Sequence, residues 1–129
     1  MSIRKSIEAA RLRGAEQFGA GRGLFEFSFA ATDPTFAGHF PARPLVPGIF
    51  QIEMVRVAAE WMLGARLVIK AIGRAKFQRP ILPGEVIQLQ MTVLESGAAI
   101  QVRGAFSVAG EPAGDVMLTL SADAPKAGI

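Results

Sequence analysis

The sequence predicts an α+β domain: four or five long antiparallel strands packed against one buried helix. Three observations predict it. Residues 49–63, IFQIEMVRVAAEWML, are apolar nearly all round, so a helix there needs cover on most sides. The second half of the chain alternates apolar and polar residues in strand-length runs, as at Ile87, Leu89, Met91 and Val93. Glycine and proline fall mostly between these runs, where turns belong.

Residues 2–20 read two ways. Ile3, Ile7, Ala10 and Leu12 mark a helix, whereas Ile7–Arg13 also suits an edge strand. Gly19, Gly21 and Gly23 then punctuate a turn, and Leu24–Ala30 (LFEFSFA) alternates as a strand. From Thr35 to Gly48 the chain reads as a stiff loop, because Pro41, Pro44 and Pro47 each fix φ and remove a donor. The helix Ile49–Leu63 places Glu53, Arg56 and Glu60 on one narrow stripe at ~100° per residue, and Gly64 stops it. Leu67–Phe77 is a strand with a bulge expected at Gly73, followed by a turn at 79–84. Val86–Leu94 and Ala99–Val108 form a hairpin around Ser96-Gly97, and a turn at Gly110-Glu111-Pro112 leads into Val116–Leu120. A single sheet cannot cover a helix apolar on every side, so a second copy of the chain is expected to complete the burial.

The chain has 129 residues, half of them hydrophobic and 19% charged, which suits one packed domain, 1–129. No apolar run approaches the ~20 residues of a membrane helix, and the first twenty residues lack the apolar core of a signal peptide. A small soluble cytoplasmic protein is expected. Zero cysteines exclude disulfides and thiolate chemistry, and one histidine excludes a His-rich metal centre. Net charge is +3 and the pI near 10.0. No basic run with interleaved aromatics offers a nucleic acid a platform, so the charge is read as solvated surface or as a face for an acidic protein.

Three residues stand out as chemistry. His39, within the stiff loop, is the natural proton carrier near neutral pH, or a loop histidine satisfied by a backbone carbonyl. Glu53 is a carboxylate on a helix that otherwise looks buried; spacing alone favours an ion-pair stripe with Arg56 and Glu60 on an exposed edge. Gly48, at the first helical turn, offers an unsatisfied amide to a ligand oxygen, or merely lets the chain turn.

Taken together, residues 38–48, GHFPARPLVPG, followed by Glu53 fourteen positions after His39, resemble the signature of the β-hydroxyacyl-acyl carrier protein dehydratases of the FabA/FabZ type. The glutamate is similar to the FabZ branch, as is a second segment at residues 76–85, KFQRPILPGE. The resemblance runs through residues 24–122; residues 1–22 match poorly and stand as an N-terminal extension or edge strand. It implies a hot-dog fold, a curved antiparallel sheet wrapped around one long central helix, in homodimers that often assemble into hexamers. It further implies dehydration of 3-hydroxyacyl thioesters to trans-2-enoyl thioesters in fatty acid or related specialised acyl or polyketide biosynthesis. His39 would be the base at C2, Glu53 of a second subunit would help protonate the departing hydroxyl, and the Gly48 amide would bind the thioester carbonyl. Phe40, Pro44, Val46 and Pro47 would line the substrate path. No metal or redox cofactor is implied, since the substrate rides on the phosphopantetheine of an acidic acyl carrier protein. Arg66, Lys70, Arg74, Lys76 and Arg79 would dock that carrier.

Departures from the family pattern are specific. Arg56 stands where a small residue is usual and Val57 where glutamine is usual; tyrosine is absent, and Ala42 replaces a glycine. An arginine one turn from Glu53 is able to pair with it and keep it ionised, which would spoil a general acid. A hot-dog thioesterase and a non-catalytic acyl or carrier-binding homologue are the alternatives.

Overall fold

A computed structural model describes residues 2–33 and 45–122, with the backbone alone at 13–18. The helix reading holds through Ala10, and the strand starts only at Arg11, four residues later than the Ile7–Arg13 alternative placed it. Helix α1 (Ile3–Ala10) starts at Ser2, whose hydroxyl accepts from the Lys5 amide at 3.1 Å, and buries Ser6, Ile7 and Ala10. Strand β1 (Arg11–Gly19) follows directly. It pairs with β2 (Arg22–Phe27) across a two-residue turn, Ala20-Gly21, with both residues left-handed (φ 51° and 74°) as a tight hairpin requires.

Helix α2 spans Gly48–Leu63, beginning one residue before the periodicity places it. It ends where expected: Gly64 takes φ 66°, and its amide donates to the Glu60 carbonyl at 2.8 Å. Strands β3 (Leu67–Phe77), β4 (Ile87–Glu95), β5 (Ile100–Val108) and β6 (Glu111–Ala122) complete one antiparallel sheet in the order β1-β2-β4-β5-β6-β3. The sheet thus has six strands among the described residues, more than the pattern suggested, because β1 comes from the ambiguous N-terminal segment. The predicted bulge at Gly73 is present, and a second falls at Lys70. Strand β6 starts earlier than expected because the turn is Ala109-Gly110, again with both φ positive. Pro112 is tolerated inside β6 because β3 pairs with that strand only from Gly114 onward.

This is the hot-dog arrangement, with the sheet packed about α2. Register fixes which side chains face the helix. Phe25, Leu89, Phe106 and Gly114 form one inward row, and Gly23, Met91, Gly104 and Val116 form the next. Missing side chains in those rows seat the helix. A Cβ at Gly104 would lie 2.5 Å from Val55 Cγ2, and one at Gly114 would lie 2.5 Å from Gln51 Oε1. Trp61 near the end of α2 packs on Phe25 and Phe27 with ring centres 5.6 and 6.1 Å away. The guanidinium of Arg11 lies 3.7 Å above the same indole.

Cover is incomplete on one side. Among the described residues strand β3 pairs with β6 only, and from Lys70 onward each of its residues is exposed, including Ile72 at 52% and Phe77 at 46%. On α2, Ile49 and Leu63 are also exposed.

The closeness of the helix seat gives a direct check. Val55 is β-branched and holds one rotamer on a helix, so it cannot swing away from an added methyl. Gly104→Ala is therefore expected to lower stability by about 1–3 kcal/mol, measured as a fall in urea midpoint at unchanged slope. An unchanged midpoint would mean that the helix does not lie this close.

Candidate active site

The start of α2 is held from outside by residues 76–85. The Val46 amide donates to the Ile81 carbonyl at 2.8 Å, and both side chains are buried. Arg79 donates to Glu85 Oε2 at 2.7 Å, while the Leu82 amide donates to Glu85 Oε1 at 2.8 Å. The Gly84 amide reaches the Phe29 carbonyl at 2.8 Å. The second motif is thus a turn locked on its own carboxylate, with the segment entering α2 leaning against it. The Leu82 amide, and after it the Arg79 guanidinium, hold the Glu85 carboxyl below the usual glutamate range.

Pro47 caps α2 and lends no side-chain hydrogen bond, and among the described residues no hydrogen bond of the Gly48 amide is found at the positive end of the helix dipole. Phe77 explains why residue 48 is glycine: a Cβ there would lie 2.7 Å from the Phe77 ring. Glu53 stands five residues on, about 7.5 Å further along the axis, with its side chain 24% exposed.

Glu53 is not alone. Arg56 Nε donates to Glu53 Oε2 at 2.8 Å, and Nη2 makes an ion pair with the same oxygen at 2.5 Å. Arg56 Nη1 donates to Glu60 Oε2 and to the Leu67 carbonyl, each at 3.2 Å. Glu60 is buried, and takes the Leu67 amide at 2.9 Å on Oε2 and Arg4 at 2.7 Å on Oε1. The ion-pair stripe read from spacing is present, but Glu60 within it is buried rather than edge-exposed.

His39, Phe40 and Pro44 lie outside the described residues. Of the remaining predicted site residues, Val46, Pro47 and Gly48 gather at the start of α2, with Glu53 one and a half turns on. The five basic residues do not share one spot. Arg66 sits before β3 and Arg79 after it, and eleven strand residues span roughly 35 Å. Lys70 lies in a bulge. By register, Arg74 and Lys76 sit beside Met117 and Asp115, on the outward face. There Asp115 is already held by Arg103 at 2.6 Å. Arg79 is occupied by Glu85.

One polar residue escaped the sequence reading. Gln51 is 2% exposed, and its Oε1 accepts no hydrogen bond among the described residues. It lies one turn after Gly48; a glutamine on a helix expected to be buried all round was the available signal. Two surface clefts, of about 410 and 320 Å³, are lined by neither Gly48 nor Glu53. Among the described residues, no three His, Cys, Asp or Glu side chains converge to hold a metal.

Glu85 makes a pH test of the turn. Its depressed folded value means that its contribution is present above the unfolded value and is lost as pH falls through the folded one. Glu85→Gln is expected to lower Tm at neutral pH, with the gap to wild type closing as pH falls below the usual glutamate range. A gap independent of pH would contradict the carboxylate lock.

Comparison with known proteins follows the same outline. A family model described as ApeI-like (ApeI dehydratase) matches residues 16–121. The 3-hydroxyacyl-[acyl-carrier-protein] dehydratase FabZ of Roseobacter denitrificans is 33% identical over 103 residues, covering 70% of this chain and 68% of that protein. The FabZ of Cereibacter sphaeroides is 33% identical over 104 residues, covering 73% and 67%. Among solved structures, the dehydratase heterocomplex ApeI:P from Xenorhabdus doucetiae superposes with a TM-score of 0.74 at 24% identity, covering 86% of this chain and 97% of that one. A hypothetical thioesterase from Streptococcus pneumoniae, at 9% identity and a TM-score of 0.65 over 84% of this chain and 88% of its own, shares the fold alone.

Proposed function

The chain belongs to the ApeI-like dehydratase family, and from that membership we propose that it removes water from a 3-hydroxyacyl thioester, carried on an acyl carrier protein, to give the trans-2-enoyl thioester. What carries the reading is that the family match over residues 16–121 spans His39, Gly48 and Glu53 together.

The chemistry asks for three things. A base must take the C2 proton, donors must steady the charge that moves onto the thioester oxygen, and a proton must leave with the C3 hydroxyl. His39 is the base. The Gly48 amide at the uncapped start of α2 is the oxyanion donor, aided by the helix dipole. Glu53, contributed by a second subunit, acts on the hydroxyl. Because Arg56 engages it, we assign Glu53 the role of hydrogen-bond acceptor rather than proton donor. The proton then returns from the imidazolium of His39. The C2–H and C3–O bonds break, the C2–C3 double bond forms, water departs, and the imidazole ends neutral. No metal or redox cofactor enters this scheme. Phe40, Pro44, Val46 and Pro47 line the acyl path.

The acidic carrier protein is proposed to meet Arg66, Lys70, Arg74 and Lys76; Arg79 serves the Glu85 turn instead. The free edge of β3 with Ile72 and Phe77, together with Ile49 and Leu63 of α2, supports assembly through that side as a homodimer, and further as a hexamer. The ApeI:P structure is named a heterocomplex, so a related chain is the other candidate for that place. No described helix is long and apolar enough to cross a membrane. A cytoplasmic location is proposed on the carrier-protein chemistry alone.

Purified protein given a 3-hydroxyacyl carrier thioester is expected to produce the enoyl product by mass spectrometry, and His39→Ala to slow it by ~10²–10⁴-fold. Release of free thiol without enoyl product would make the protein a thioesterase, and binding without turnover a carrier-binding homologue. Ile72→Asp, at an exposed position, is expected to yield folded monomer in sedimentation; a persisting dimer would place the interface elsewhere.

A further inference from the structure

Arg56 occupies a position where the resemblance calls for a small residue, and it is braced more heavily than a surface ion pair. An exposed pair on a helix contributes little, since two long side chains must be ordered for a screened attraction. Here one guanidinium reaches three groups: the Glu53 carboxylate, the Glu60 carboxylate and the Leu67 carbonyl. Its side chain is 19% exposed. Glu60 is in turn fixed by Arg4 from α1 and by the first amide of β3. The brace therefore runs from two other elements, through Arg56, onto Glu53. Both Arg56 nitrogens that engage Glu53, Nε by hydrogen bond and Nη2 by ion pair, meet Oε2, and Oε1 takes no hydrogen bond among the described residues.

We propose that Arg56 is a positioning residue for Glu53, pinning Oε2 so that Oε1 is presented in one orientation to accept a hydrogen bond from the substrate's 3-hydroxyl. The assignment rests on the dehydratase reading above. It turns Arg56 from an obstacle to the chemistry into a part of it: a free glutamate would have to be ordered anew at each turnover, whereas a forked one is already in place. Arginine suits this because its planar fork bonds carboxylate and carbonyl at once, which a lysine ammonium cannot match.

The test is a mutant cycle on dehydration: Arg56→Met, Arg56→Lys, Glu53→Gln, and Arg56→Met combined with Glu53→Gln. Arg56→Met is expected to lower kcat ~10–100-fold with KM within about twofold, and Arg56→Lys to recover part of the loss. The double variant is expected to be no slower than Glu53→Gln alone, since without the carboxylate there is nothing for Arg56 to position. A wild-type kcat in Arg56→Met, or losses that multiply in the double variant, overturns the assignment. If circular dichroism shows Arg56→Met unfolded, the same cycle is run with Arg56→Lys, where an unchanged kcat overturns the assignment. Wild-type protein that turns over no 3-hydroxyacyl thioester overturns the dehydratase reading and this assignment with it. Wild-type turnover with multiplying losses overturns the assignment alone.

Discussion

The site depends on how closely α2 lies on the sheet. Gly104 and Gly114 leave room for Val55 and Gln51 to sink between strands, where any side chain would hold the helix off. With one face pressed into the sheet, the opposite stripe carries Ile49, Glu53, Arg56, Glu60 and Leu63, exposed at its two ends and buried at Glu60. The arrangement is a consequence of width as well as of packing. Strand β3 extends the sheet beyond what one helix covers, so Ile72 and Phe77 are left exposed beside the same stripe. Apolar edge, uncovered helix face and carboxylate thus share one side of the molecule.

Charge on that side is organised rather than solvated. Burying Glu60 would be costly without partners, and three donors meet it: Arg4, Arg56 and the Leu67 amide. Removing any one leaves a poorly compensated charge, which makes the group stiff. That stiffness serves chemistry, because an elimination needs its polar groups arranged before the substrate arrives. The start of α2 is handled differently. Among the described residues no side chain caps it, and the segment before it leans on a turn closed by Glu85, which fixes the backbone there.

Much of this was legible in the residues. The apolar run of α2, its stop at Gly64 and strand β3 with its Gly73 bulge follow from periodicity and from glycine's place in it, because local patterning there agrees with the final packing. Residues 2–20 were ambiguous because helix α1 passes into β1 with no glycine or proline between them, so no breaker marks the switch. The extra length of β6 was hidden by Pro112, a poor strand residue permitted only because the neighbouring ladder starts two residues later. At the site, spacing marked Gly48 and Glu53 and even the Glu53–Arg56–Glu60 stripe. It could not show that Glu60 is buried or that Arg4 reaches it, since these depend on where α1 docks. The separation of Arg66 from Arg79 follows from the strand reading of Leu67–Phe77 itself, since an extended strand draws five basic residues close in sequence out along its length.

A fold alone does not fix the reaction, and this fold is shared with a protein named a hypothetical thioesterase. Dehydration and hydrolysis differ in which bond to oxygen or sulfur is broken, and a tracer reads that directly. Run in reverse, with a trans-2-enoyl thioester in water labelled with heavy oxygen, the protein should place the label on C3 and leave the thioester intact. Label appearing in a free carboxylic acid, with none at C3, would contradict the account.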